Sequence, residues 1–108
     1  MVNRSPALDD VFAALGDPTR LAMVGRLAQG EASVSELAAP FDVSLPAVTK
    51  HLGVLRRAGL VSDRKVGRVR WCRLERAPLM EAERWLSRNR AFWDARFDAL
   101  ASHLERSP

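Results

Sequence analysis

Apolar positions recur along the chain at two periods, and the place where one gives way to the other divides the sequence. Leu8, Val11, Phe12 and Leu15 follow helical spacing across Ala7 to Leu15. Ser5 is placed to cap this helix, Pro6 suits its first turn and Gly16 ends it. Asp17-Pro18 repeats the cap-then-proline device. It opens a second helix with Leu21, Met23, Val24 and Leu27 as its apolar face and Gly30 as its stop. Ser33, followed three residues later by Glu36, forms a capping box for a third helix. Its inward positions are Val34, Leu37, Ala38 and Phe41, and Pro40 predicts that it ends nearby. Ser44 caps a fourth helix that runs to about Ala58 and closes at Gly59, with Val48, Leu52 and Leu55 as its buried stripe.

The period then drops to two. Leu60 to Val66 and Arg68 to Leu74 are expected as strands around Val66-Gly67. Alternation in the second strand sends Val69 and Trp71 to one face and Arg70, Cys72 and Leu74 to the other. Gly67 supplies the positive φ that a tight hairpin requires. From Pro78 to about Leu104 a long helix returns, with Leu79, Ala82, Trp85, Leu86, Phe92, Trp93, Phe97, Leu100 and Leu104 as apolar positions. The expected fold class is mainly α with a small β-hairpin wing, in the order α-α-α-α-β-β-α. This is a winged helix-turn-helix with the helix-turn-helix at 33–58 and the wing at 60–74.

Composition narrows the picture. The 108 residues are 47% hydrophobic and 28% charged, which suits a single globular domain over the whole chain. No apolar run approaches the roughly 20 residues needed to cross a bilayer, so no membrane partner is expected. Met1 to Pro6 is polar and lacks the apolar stretch of a secretory signal. Cys72 is the single cysteine, which rules out an internal disulfide framework, and a cytoplasmic location follows as the expectation.

The net charge of +4 is unevenly spread. Between Ser44 and Arg73 stand Lys50, Arg56, Arg57, Arg64, Lys65, Arg68, Arg70 and Arg73, opposed only by Asp63. A basic block of this kind inside a folded domain is the footprint of a phosphate-binding surface, although a merely solvated face has the same composition. Its placement on a helix-turn-helix and a hairpin decides for the first. With Val48, Leu52 and Leu55 inward, the opposite face of the fourth helix carries Pro46, Ala47, Lys50, Gly53, Val54 and Arg57, flanked by Thr49 and Arg56. Pro46, Ala47, Thr49 and Lys50 lie where a recognition helix meets base edges. Lys50 can donate to guanine acceptors, and Thr49 can bond a base or touch a thymine methyl. Arg56 and Arg57 suit phosphates, and Ser44 presents the helix N-terminus to one. Arg64, Lys65, Arg68 and Arg70 form a wing suited to backbone or minor groove.

These residues also carry a family resemblance. Phe12-Ala-Ala-Leu-Gly-Asp-Pro-Thr-Arg-Leu21 and Val43-Ser-Leu-Pro-Ala-Val-Thr-Lys-His-Leu-Gly-Val-Leu-Arg-Arg-Ala-Gly-Leu-Val61, followed by Gly67-Arg68 and Leu74, resemble the ArsR/SmtB family of winged-helix repressors. The resemblance runs from about residue 8 to the chain's end. It implies a homodimer on double-stranded DNA at a near-palindromic operator, repressing until an effector binds. Mapped onto this chain, it implies groove contacts from Ser44, Pro46, Ala47, Thr49, Lys50 and His51, and wing contacts from Arg64, Lys65, Arg68 and Arg70. It also implies dimer helices at 8–30 and 78–105, with Leu8, Val11, Phe12, Trp85, Phe92, Trp93, Phe97, Leu100 and Leu104 as candidate interface residues. A last helix too apolar for one small monomer to cover agrees with dimerisation.

The chain departs from the family's metal sensors. Many of them carry Cys-x-Cys in the third helix, but Ser35 to Asp42 contains no cysteine. Others place Asp, His and Glu ligands along the last helix. Here His103 stands there with Asp94, Asp98 and Glu105 at unmatched spacing. Cys72, His51 and His103 make a poor set for a soft metal, so neither a metal nor another cofactor is expected. A small-molecule effector stays open. Cys72 beside Arg70 and Arg73 has the surroundings of a redox-sensitive thiol, yet a lone strand cysteine next to Leu74 is more often a packed hydrophobe. His51 suits either a phosphate contact or a structural role. The aromatic residues of the last helix suit packing more often than an effector pocket. No nucleophile stands near a base, no paired carboxylates converge and no glycine loop cradles phosphate, so an enzyme is not expected. A protein-interaction module without DNA binding is the alternative function, and the basic block argues against it.

Overall fold

The computed structural model describes residues 8–106, so the expected Ser5 cap and Pro6 lie outside the described residues. Five helices and three strands follow in the order α1 (Leu8–Leu15), α2 (Pro18–Leu27), β1 (Ala32–Ser33), α3 (Val34–Ala38), α4 (Leu45–Arg57), β2 (Val61–Val66), β3 (Val69–Leu74) and α5 (Arg76–Arg106). The fold is the expected winged helix-turn-helix with one added strand.

Local chemistry sets most boundaries. Asp17 caps α2 by accepting from the Arg20 amide at 3.0 Å, with Pro18 in the first turn. Ser33 and Glu36 form both halves of the capping box, at 3.1 and 2.8 Å. Ser44 caps α4 through the Ala47 amide at 3.2 Å. At the far end of α4, Gly59 takes φ 78°, the Gly59 amide donates to the Arg56 carbonyl and the Leu60 amide to the Leu55 carbonyl. This is a Schellman stop, and it turns the chain directly into β2.

Strand β3 lies at the centre of the sheet, paired antiparallel with both β1 and β2. The Val66–Val69 pair leaves Gly67 and Arg68 as the two turn residues, one step later than the expected Val66-Gly67. With φ 62° at Gly67 and no positive φ at Arg68, the turn is of type II′. Strand β1 has no counterpart in the sequence reading. Ser33 serves both as its last residue and as the cap of α3, and its pairing partner, Trp71, is distant in sequence.

The core gathers one stripe from each element: Val11 and Ala14, then Met23, Val24 and Leu27, then Leu37, then Val48, Leu52 and Leu55, closed by Leu60, Val61 and Cys72. Two expectations change. Leu21 is exposed and does not belong to the inward face of α2. Val11, expected at a dimer interface, is fully enclosed in its own chain and has no surface left for a second copy. The start of α5 packs on α1, where Pro78 and Ala82 are buried and Trp85 meets Phe12 edge-on at 5.8 Å. Beyond Trp85 the helix leaves the body of the domain.

Candidate nucleic-acid interface

The buried stripe of α4 fixes what its other face presents. Val48, Leu52 and Leu55 are enclosed, so Pro46, Thr49, Lys50, Arg56 and Arg57 are turned to solvent, while Ala47 is half-buried. The wing lies beside this helix. Register places Val61, Asp63 and Lys65 of β2 on the same face as Leu74, Cys72 and Arg70 of β3. Along that face the strands run outward, from Val61 and Leu74 at the core to Lys65 and Arg70 at the rim. Between the wing, the start of α3 and α4 runs a groove of about 670 Å³, with Thr49 and Arg56 on one wall and Arg68, Val69 and Arg70 on the other.

The cations of this surface fall into two sets. Arg56 and Arg70 donate to Asp63 at 3.2 and 2.6 Å, Arg64 pairs with Glu31 at 2.9 Å, and Arg73 pairs with Glu75 at 3.3 Å. Lys50, Arg57, Lys65 and Arg68 make no hydrogen bond or ion pair among the described residues. These four are therefore the charges that a polyanion meets without first displacing a carboxylate.

Ser44 spends its hydroxyl on the cap of α4, which holds the helix N-terminus and its partial positive charge in place. His51 is half-buried. Its Nδ1 stands 3.3 Å from Arg20 Nη1 and 3.9 Å from an Asp17 carboxyl oxygen. A guanidinium only donates, so Nδ1 is the acceptor of that contact when the ring is neutral. Arg20 also donates from Nε to the Ala14 carbonyl at 2.6 Å and from Nη2 to the Ala13 carbonyl at 3.3 Å. It thereby ties the end of α1 to the recognition helix. The Arg20 amide holds the Asp17 carboxyl below its usual range, with His51 and the Arg20 charge adding to the effect against a desolvation cost.

Four participants escaped the sequence reading: Arg20, Glu31, Asp63 and Glu75. Arg20 carried a signal, because a cation in the first turn of a helix opposes the dipole and so invites another explanation. Asp63 carried one too, as the lone acid of the basic block. Glu31 carried none. Cys72 is buried, and its thiol is pushed up by that burial and by the Asp63 carboxylate, against the pull of Arg56 and Arg70. A protonated, enclosed thiol is a packing group, not a reactive one.

The exposed apolar side chains gather on α5. Trp93, Phe97 and Leu104 are 52%, 61% and 63% exposed, with Leu86, Phe92 and Leu100 also open to solvent. Phe92 meets Trp93 edge-on at 5.2 Å, and the Arg96 guanidinium lies 4.5 Å from the Phe92 ring centre. At 100° per residue these positions continue the same stripe that buries Ala82 against α1. No helix among the described residues is long and apolar enough to cross a membrane.

Comparison with known proteins agrees with this geometry. Residues 15–64 match a family described as a helix-turn-helix domain. The chain is 46% identical to the HTH-type transcriptional regulator Rv2034 of Mycobacterium tuberculosis, over 94% of this chain and 91% of that one. It is 39% identical to the biofilm growth-associated repressor of Agrobacterium fabrum, over 76% of this chain and 73% of that one. A crystal structure of an ArsR family transcriptional regulator superposes with a TM-score of 0.78 at 44% identity, covering 87% of this chain and 97% of the other. The chain therefore belongs to the ArsR family of winged helix-turn-helix transcriptional regulators.

Proposed function

We propose that the chain is a homodimeric repressor of its own operon. Each protomer places α4 in the major groove of one half of a near-palindromic operator and its wing along the adjoining backbone or minor groove. The observation that carries this reading is that Lys50 and Arg57 on the outward face of α4, and Lys65 and Arg68 on the wing beside it, are exposed and unpaired among the described residues. Lys50 on the N-terminal half of α4 reads base edges, with Thr49 and the small Ala47 and Pro46 allowing close approach. Arg57, Lys65 and Arg68 hold phosphates. Arg56, Arg64 and Arg70 reach the duplex while tethered to carboxylates, and His51 contacts the backbone.

The second copy is held through Trp93, Phe97, Leu100 and Leu104, with Phe92 and Trp85 beside them and Leu8 and Phe12 at the edge. These residues expose a continuous apolar stripe that one chain leaves uncovered. Residues 8–30 and 78–105 are thus the dimer helices of a single domain, and the protein acts in the cytoplasm. Repression follows occupancy of the operator. The chain lacks the cysteine pair and the last-helix ligand spacing of the family's metal sensors, so the releasing signal is something other than a soft metal.

Selection from a pool of random duplexes, followed by footprinting, tests this directly. The expected outcome is an enriched inverted repeat whose half-sites lie about 34–36 Å apart or a multiple of that. The slope of log affinity against log salt is expected to be about −5 to −7 per dimer, from six to eight cation–phosphate contacts. A pool that yields no enriched sequence, or binding indifferent to salt, overturns the reading.

A further inference from the structure

Asp63 stands where the two halves of the basic surface meet. Its position is set by the strand: two residues beyond buried Val61 on the inward face, opposite Cys72, at the last point before the wing leaves the core. There Oδ2 accepts from Arg56 of α4 and from Arg70 of β3. The Asp63 side chain is only 12% exposed, whereas the side chains of Arg56 and Arg70 are 44% and 52% exposed. Each guanidinium has five N–H donors, so a single bond to Asp63 leaves most of them for an outside acceptor. Both arginines also line the groove between helix and wing. One carboxylate oxygen between two guanidinium groups has the charge and geometry of a phosphate oxygen held by two arginines.

We propose that Asp63 is a specificity-determining positioning residue: it occupies Arg56 and Arg70 as an internal substitute for a phosphate, lowering attraction to DNA of any sequence while joining recognition helix and wing into one unit. The inference rests on the DNA-binding reading above. Non-specific attraction scales with the cations available to displace counterions, and Asp63 cancels about one of two. Sequence choice comes from base contacts, which need α4 at a fixed angle to the wing. One carboxylate therefore weakens the unselective part of binding and leaves the selective part standing. The arrangement holds Asp63 well ionised, because the Arg70 hydrogen bond and the two nearby cations outweigh its desolvation.

The test compares wild type and Asp63→Asn by fluorescence anisotropy, on a random-sequence duplex and on the enriched operator, across a salt series. The near-isosteric variant is expected to bind random duplex about fivefold more tightly at physiological salt, with a slope steeper by about one to two per dimer. Its affinity for the operator is expected to rise less, so the ratio between the two falls. A purely structural role for Asp63 predicts a lower melting temperature with random-duplex affinity and slope unchanged or reduced, and that result overturns the proposal. A second arm does not depend on the folding of that variant. In an otherwise unaltered chain, Arg56→Gln combined with Arg70→Gln is expected to change the salt slope about as much as Arg68→Gln alone, because Asp63 already cancels one of the two arginines; a change twice as large overturns the proposal. A wild-type chain that binds neither duplex overturns this inference and the DNA-binding reading together. A wild type that binds, with Asp63→Asn indistinguishable from it, overturns this one alone.

Discussion

The pole built from α4 and the wing and the outer half of α5 are both open to solvent, yet their side chains are held in opposite ways. At the pole nearly every constraint comes from within the chain: Ser44 caps the helix, Asp63 ties helix to wing, and Arg20 braces His51. On α5 beyond Trp85, the aromatic rings touch chiefly one another and Arg96. The first surface has its helix, wing and paired arginines organised before any partner arrives, which leaves chiefly the four unpaired cations to order on binding. The second is an unfinished core. Its apolar stripe resembles the buried stripes of α2 and α4 in chemistry and differs only in having no opposite wall.

The largest expected effect breaks the α5 side of the comparison. Trp93→Asp with Phe97→Asp removes two apolar anchors, each worth about 1.5–3 kcal/mol when buried, and places charges at the centre of the stripe. Light scattering is expected to show monomers in place of dimers, with helical circular dichroism preserved because neither residue is buried in its own chain. Operator affinity is expected to fall by about 100-fold or more as the two half-sites become independent. A variant that stays dimeric removes α5 from the interface.

At the pole, Lys50→Ala is expected to cost about 1–3 kcal/mol on the enriched operator and to alter its base preference in a repeated selection. Arg68→Ala weakens every sequence alike and lowers the salt slope by about one per protomer. If the two variants proved interchangeable, the division between reading helix and holding wing would be lost. Ser44→Ala is expected to lower stability by about 1 kcal/mol in thermal unfolding, and Ser44→Gly by only a few tenths. Full stability in the alanine variant would show that α4 does not depend on its cap.

The smallest effect is in pH. Asp63 and Glu75 are both held below the usual carboxylate range. For Asp63 the cause is chiefly the Arg70 hydrogen bond; for Glu75 it is first the Ser62 hydroxyl and then Arg73. A depressed folded-state pKa stabilises the protein above the unfolded value, about 4, and that stability is lost as pH falls through the folded value. The melting-temperature gap between wild type and Asp63→Asn is therefore expected to be constant from neutral pH to about 5 and to close below 4. A gap unchanged at pH 2 would contradict the assignment. Self-association through α5, which rests on apolar contact, should not follow this pH course and should persist in salt that releases DNA.

Much of the architecture was legible because its causes are local. The caps at Asp17, Ser33 and Ser44, the stop at Gly59 and the hairpin glycine each depend on residues within one turn. The solvent-facing set of α4 followed from these, since fixing Val48, Leu52 and Leu55 inward leaves Lys50 and Arg57 no choice of direction. Strand β1 was not legible: two residues have no period, and Ala32–Ser33 become a strand only because β3 offers a free edge there. The exposure of Leu21 and the enclosure of Val11 likewise depend on which neighbours arrive.

The sequence by itself determined the elements, the basic character of one pole and the apolar stripe of the last helix, because periodicity, capping and charge content are properties of short segments. Only the tertiary structure decided which cations are free. Eight basic side chains between Ser44 and Arg73 look alike in a linear reading. Strand register and the approach of the wing to α4 give Arg56 and Arg70 to Asp63, Arg64 to Glu31 and Arg73 to Glu75, and leave Lys50, Arg57, Lys65 and Arg68 for a partner. The physical reason is that an ion pair acts over a few ångströms, and for Arg64 and Glu31 those ångströms separate residues that the chain sets far apart.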